Sequence, residues 1–343
     1  MKIELPLGEA LAYGYQFYAF PLSILATVDG SSDWILANFV HLAYDPTEGT
    51  PVRFCFYVFD YSQSPWLETV KTDRFWVAAS SLDIVKVCRA SMEAGYYPYL
   101  NLNEFHVPGR GAHGKHDQTH DMLLCGFDDA ADTFTVYGYS NGRLGRVEID
   151  RTRFRESYES LDRIPNTCHQ VFFYRVARDV SFRLDVADVR DAIGDYLAGS
   201  NASARFAMSK EPLDRIYGMA CYEPLQGYLD AYLSGQEPYD ARNFHVLWEH
   251  KRLMTMRISR LAEITENDRM STLADEFLSI ERDAMALRDG MMRHEFAQAG
   301  KSTYPLSAPS RLAGIRERES EILEEVVAEL KNVEPRTSDF GSS

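Results

Sequence analysis

Residues 101–142 read NLNEFHVPGRGAHGKHDQTHDMLLCGFDDAADTFTVYGYSNG, and this stretch decides the fold class. It holds an apolar run from Met122 to Phe127, an acidic turn from Asp128 to Asp132, and a returning run from Phe134 to Tyr139. Two β-prone runs joined by a short polar turn predict antiparallel strands. Ahead of them, residues 103–119 are polar and rich in glycine and histidine, which predicts a loop. Four of the nine histidines fall between positions 106 and 120, with Arg110 and Lys115 among them. The loop is therefore locally basic, although Asp117 and Asp121 temper the charge.

Working outward, residues 52–59, Tyr96 to Leu102, Val147 to Ile149 and Val171 to Val176 read as further strands, being β-branched and aromatic. Residues 81–93 have helical spacing at Leu82, Val85, Val87 and Cys88 and stop before Gly95. Residues 14–28 form a buried, mostly apolar segment, with Pro21 expected in the first turn of a helix through Leu22, Leu25 and Ala26. After Arg178 the pattern changes. Asp185 to Leu197 predicts a helix with Asp185 as its N-cap, residues 211–235 one or two more, and 240–264, 267–297 and 308–332 amphipathic helices. The expected class is α+β, with a mainly antiparallel sheet over 1–177, a helical domain over 178–335 and a frayed tail over 336–343.

Composition narrows the function. The 343 residues carry 36 Lys+Arg against 51 Asp+Glu, a formal charge of -15, which argues against gripping nucleic acid through general basicity. Of the 43 aromatic residues, 29 precede position 178, so the two halves differ in character. Five cysteines at 55, 88, 125, 168 and 221 are odd in number and widely spaced, arguing against a disulfide scaffold or structural zinc. No run of about 18 apolar residues occurs, so no membrane span is expected. Met1-Lys2-Ile3-Glu4 lacks the pattern of a secretion signal, and the expectation is a cytoplasmic protein. No dinucleotide-type glycine fingerprint, phosphate loop, zinc-peptidase motif or serine-hydrolase elbow is present.

Three readings of the histidine loop compete. It is a solvated surface loop; or His113, His116 and His120 hold a metal on one helical face, which Gly111 and Gly114 oppose; or His120 alone carries chemistry, placed at the start of a buried strand. Glu104 is a general acid–base partner or a loop-fixing partner of Arg110.

The run from His120 to Asp129 resembles the histidine strand of papain-like cysteine peptidase folds. The wider pattern is a Tyr-rich strand, Asn103-Glu104-Phe105-His106-Val107-Pro108-Gly109-Arg110, a spacer, His120-Asp121 and an apolar strand. It resembles bacterial proteins related to the butirosin biosynthesis protein H N-terminal domain, relatives of the bacteriocin-peptidase fold. The likeness covers about residues 10–177. It implies a papain-like domain that moves acyl groups from acyl or peptidyl carrier-protein thioesters to an amine or alcohol in natural-product assembly. On it, His120 is the base, Asn141 or Asp121 orients His120, and Gln16 or backbone N–H groups face the oxyanion. Arg110 and Lys115 would hold the phosphate of a phosphopantetheine arm, with no cofactor of the protein's own.

The chain departs from that pattern where a nucleophile is needed. The region Tyr15 to Ser23 contains Gln16 but no Cys, and the first Cys is Cys55. Ser23 sits in an apolar helix and Ala19 has no nucleophile, so a covalent cysteine route is unsupported. Two expectations remain: a general-base acyltransferase without a covalent intermediate, or a noncatalytic scaffold or carrier-binding partner. For the latter, a basic patch of Lys251, Arg252, Arg257 and Arg260 is either a docking face or a solvated helix face.

Overall fold

Strands pair around the apolar run 122–127 because it has no polar face to give to water. The computed structural model describes residues 1–58, 60–140, 142–165, 168–205, 214–297, 307–331 and 333. In chain order the elements are β1 (Lys2–Glu4), α1 (Gln16–Leu25), α2 (Ser31–Asn38), β2 (Leu42–Tyr44), β3 (Phe54–Phe56), β4 (Leu67–Asp73), α3 (Arg74–Ala79), α4 (Ile84–Glu93), β5 (Tyr97–Asn103), β6 (Thr119–Asp128), β7 (Thr133–Ser140), β8 (Arg143–Asp150), α5 (Arg151–Ser160), β9 (Gln170–Val176), α6 (Val186–Ala198), β10 (Ile216–Tyr217), α7 (Tyr222–Leu233), α8 (Ala241–Thr265), α9 (Asp268–Phe296) and α10 (Ala308–Glu329). The chain is α+β. It divides into two compact units, Met1–Ser31 with Asp60–Phe182, and Ser32–Phe59 with Arg183–Ser343. The sequence reading drew its boundary at 177/178; its tail, 336–343, lies outside the described residues.

In the first unit the strands run in the order β4-β9-β5-β6-β7-β8, all antiparallel, with β1 beside the end of β6. One sheet face is closed by α3, α4 and α5. There Val85, Cys88 and Met92 pack with Leu100, Leu102, Met122, Leu124, Phe134 and Phe154 in one apolar cluster. On α1, Phe20 meets the rings of Tyr99 and Tyr137 at 5.5 and 6.0 Å. The period of two along β5 and β6 is what keeps Leu100 and Leu102 in that cluster. α4 starts where the Asp83 side chain accepts from the backbone N–H groups of Val85 and Lys86, and the chain leaves it through Gly95 at φ +81°.

Several features differ from the sequence reading, among them unpredicted β1, α2, β2 and α3 and the strand β10 within a stretch read as helical. α1 begins at Gln16, so Pro21 lies inside the helix rather than in its first turn. The missing Pro21 N–H costs one helical bond, which the burial of Phe20, Leu22, Ile24 and Leu25 around it outweighs. β6 reaches back to Thr119, so His120 and Asp121 are inside the strand, paired with Leu102 and Asn101. β4 and α5 are elements the pattern did not reveal, because LETVKTD and RTRFRESYES are mostly polar.

In the second unit α8 and α9 are joined through Glu266, at φ +52°, and Asn267, whose side chain caps α9. Phe244, Leu247, Met254, Ile258 and Leu261 form a buried stripe on α8. A small antiparallel sheet, β10-β2-β3, belongs to this unit. Lys251 and Arg257 correct the expectation of an exposed basic face: both are fully buried. Helical spacing alone placed them outside, but their heads have internal partners. Lys251 Nζ donates to both Glu319 carboxylate oxygens at 2.6 Å, to Tyr196 Oη at 3.2 Å and to His250 Nδ1 at 3.0 Å. Tyr196 and Tyr222 donate to Glu319 at 3.1 and 2.6 Å, and His250 Nε2 donates to the Val40 carbonyl at 2.9 Å. Arg257 donates to the carbonyls of Leu36 and Phe39 at 2.6 and 2.8 Å. Arg260 pairs with Asp33 and Glu263. No helix among the described residues is long and apolar enough to cross a membrane.

Candidate active site

Strands β6 and β7 pair from Asp128↔Thr133 to Leu123↔Tyr137. Beyond that point β6 continues along β5 to Thr119↔Asn103, while β7 continues along β8 to Ser140↔Arg143. The two strands thus part, and each leaves backbone groups without a ladder partner. Gln16, at the start of α1, fills the gap. Its Nε2 donates to the Asp121 carbonyl at 2.8 Å, and its Oε1 accepts from the Tyr139 N–H at 2.6 Å. The side-chain amide stands in for a peptide unit between two separating strands. Its orientation is fixed by chemistry, since the reversed amide would set a donor against the Tyr139 N–H and an acceptor against the Asp121 carbonyl.

His120 sits at this fork. Nδ1 lies 2.8 Å from Asp121 Oδ1 and 2.6 Å from Gln16 Nε2. Gln16 Nε2 also reaches Asp121 Oδ1 at 3.0 Å, and Tyr99 Oη donates to Asp121 Oδ2 at 3.0 Å. The His120 side chain is 38% exposed, while that of Asp121 is 17% exposed. Burial alone would raise the Asp121 carboxyl; the hydrogen bond and charge of His120, with Gln16 and Tyr99, outweigh it and hold the group below its usual range. For His120 burial pulls down, but the Asp121 hydrogen bond and the charges of Asp121 and Glu104 win, so its pKa lies above the ordinary 6.5. Asp121 Oδ1, at 2.8 Å, accepts from a protonated Nδ1, whereas Gln16 Nε2, a donor at 2.6 Å, suits an unprotonated one. With both Gln16 hydrogens directed to the Asp121 carbonyl and carboxylate, the ionised Asp121 favours the tautomer with the proton on Nδ1. That leaves Nε2 as the basic nitrogen on a half-exposed ring.

Arg110 is the third member. It is only 6% exposed, and its Nε and Nη1 meet no hydrogen-bond acceptor among the described residues. Burial lowers its pKa, against the charges of Glu104 and Asp121. Its seat is made by Gly138. A Cβ there would stand 2.3 Å from Arg110 Nη2 and 2.6 Å from Gln16 Oε1, so any larger residue would displace one of them. The loop is tied to β7 by Ser140 Oγ, which donates to the Gly109 carbonyl at 2.8 Å.

The site residues expected from sequence are thus partly gathered. Gln16, His120 and Asp121 are in direct contact, with Glu104 and Arg110 close enough to act electrostatically. Glu104 is buried, and it forms no close ion pair with Arg110 among the described residues. Lys115 is exposed and donates to the Gly111 carbonyl of its own loop at 3.0 Å. Asn141 lies outside the described residues. His113 Nδ1 lies 3.0 Å from the Phe105 carbonyl, and no metal-ligand cluster occurs among the described residues. Tyr99 and Gly138 were missed by the sequence reading, although a glycine inside the strand TVYGYS is the usual sign of a close approach.

No nucleophile stands at the fork among the described residues. Ala19 and Ser23 are fully buried on α1, and Ser23 Oγ lies 3.2 Å from Tyr137 Oη. Burial pushes the Cys88 and Cys221 thiols far up and Cys125 up to about 11, so none of the three is a thiolate near neutral pH. The chain matches no protein-family model and no curated protein.

Proposed function

We propose that the chain is a papain-like-fold acyltransferase of natural-product assembly, related to the butirosin biosynthesis protein H N-terminal domain. It uses His120 as a general base and forms no acyl-enzyme. The observation that carries the reading is the His120–Asp121 pair, with Nδ1 held at 2.8 Å and the ring half exposed. The donor is an acyl group on the phosphopantetheine thiol of an acyl or peptidyl carrier protein, and the acceptor is a small amine or alcohol. His120 Nε2 takes the acceptor's proton as its nitrogen or oxygen bonds to the thioester carbon. The C–S bond then breaks, and the proton passes to the departing sulfur. A thioester needs no further activation, so positioning and one base suffice. Arg110 supplies positive charge beside the base, while Lys115, on the outer loop, would meet the phosphate of the arm. Glu104 supports the protonated form of His120.

A second reading is a noncatalytic carrier-binding partner. The fate of Gln16 favours it, since both ends of that amide are engaged inside the protein and none of its donors is turned to an oxyanion. The two separate in one experiment. Acyl-loaded carrier proteins from neighbouring genes are mixed with the protein and a panel of amines, and products are read by intact-protein mass spectrometry. The enzyme reading expects acyl loss with wild type and not with His120→Ala. Complex formation without acyl loss in either supports the binding partner.

A further inference from the structure

A recess of about 390 Å³ opens between α3, the start of α4 and α5, apart from the His120 fork. Phe75, Ala78, Leu82 and Ile84 give it an apolar wall, and Arg74 and Tyr158 also line it. Phe75 and Leu82 are 64% and 55% exposed, and Trp76, 62% exposed, packs edge-on against Phe75 at 5.3 Å. Large apolar groups are thus held in water at its rim. Arg74 is itself 7% exposed and stacks 3.8 Å from the Tyr158 ring centroid. Arg74 Nη1 and the Tyr158 hydroxyl are both buried without a hydrogen-bond partner among the described residues. Two residues that each carry an unpartnered polar atom thus line one recess, a feature that calls for an occupant.

We propose that this recess binds a small apolar molecule bearing a neutral carbonyl acceptor: an amide, ester or ketone. The charge of Arg74 is already met, because Nη2 donates to Asp162 Oδ1 and to the Tyr158 carbonyl, each at 2.8 Å. What Arg74 lacks is an acceptor for Nη1, not a counter-ion. The walls also carry Asp73, Asp83 and Glu159, against which Arg155 stands 2.9 Å from Asp83 and 3.9 Å from Glu159. A carboxylate ligand would add charge to a surround that already holds more acids than bases. Burial, only partly opposed by Arg74, pushes the Tyr158 phenol up to about 12, so the hydroxyl remains a donor at neutral pH. The apolar body lies along Phe75 and Leu82, and the carbonyl oxygen accepts from Arg74 Nη1 and Tyr158 Oη.

Three probes of one frame test this: 4-phenyl-2-butanone, 3-phenylpropionate and butylbenzene. They are titrated into protein labelled with 5-fluorotryptophan, with the Trp76 resonance assigned by Trp76→Phe. The ketone is expected to shift that resonance saturably, and the other two to bind at least about tenfold more weakly, the worth of one good hydrogen bond or less. Tyr158→Phe removes a hydroxyl that has no partner among the described residues, so it keeps the fold and weakens the ketone about tenfold. Leu82→Lys, at an exposed position, abolishes the shift. The proposal falls if no probe gives a saturable shift, if the anionic or the acceptor-free probe binds as well as the ketone, or if both variants bind the ketone like wild type.

Discussion

Removing the Lys251 charge should be the most damaging single change in the second unit. Lys251 and Glu319 are both fully buried, and the Glu319 carboxylate accepts from Lys251 Nζ, Tyr196 Oη and Tyr222 Oη. Lys251→Met leaves a buried carboxylate with two phenol donors and no counter-charge, which costs about 3–5 kcal/mol. Glu319→Leu leaves a buried ammonium and two phenols without their acceptor, a loss of similar size. The double variant leaves no charge at this pair. Its remaining cost is two stranded hydroxyls and the His250 Nδ1 that loses its donor, about 1–3 kcal/mol each. It should therefore be more stable than the sum of the single losses predicts by about 3 kcal/mol or more. Adding Tyr196→Phe and Tyr222→Phe should recover most of what remains. Equilibrium urea unfolding followed by circular dichroism gives each value from the midpoint at constant m. The reasoning is refuted if either single variant loses under about 1 kcal/mol, or if the two losses simply add.

Three further outcomes follow from the same geometry. His250 has its pKa pushed well down, first by burial and then by the Lys251 charge, so the folded state keeps it neutral while the unfolded chain takes a proton below pH 6.5. That protonation favours unfolding as pH falls from 6.5 to 5, and His250→Gln should flatten the stability–pH slope in this window, measured by urea unfolding at each pH. Gly138→Ala should cost about 1–3 kcal/mol and disturb the His120 ring signals in NMR, whereas Gly145→Ala, where a Cβ meets nothing within 4 Å, should do neither. Asp121→Asn removes the charge that opposes burial at His120, so the His120 pKa, read by NMR titration, should drop from above 6.5 to below it.

The histidine strand was legible because an apolar run followed by an acidic turn admits few arrangements, and Met122, Leu123, Leu124 and Phe127 are indeed buried in a central strand. β4 was not, since LETVKTD is fixed as a strand by its pairing with β9 rather than by its own preference. The role of Gln16 could not be read locally. Its partners lie more than one hundred positions away, at His120, Asp121 and Tyr139, and exist only where two strands diverge. The same holds for Lys251 and Arg257. A basic residue at helical spacing reads as solvated until the carboxylate or carbonyls that receive it, from Glu319, Leu36 and Phe39, are in place.

The pH dependence of thioester aminolysis tests the His120 assignment most directly. With octanoyl-phosphopantetheine and an amine as probes, the wild-type rate should rise with pH through one inflection at the His120 pKa, above 6.5. Asp121→Asn should move that inflection below 6.5, and His120→Gln should remove it with a rate loss of about a hundredfold or more. No acceleration by wild type, or an inflection unmoved by Asp121→Asn, would contradict a base at this position.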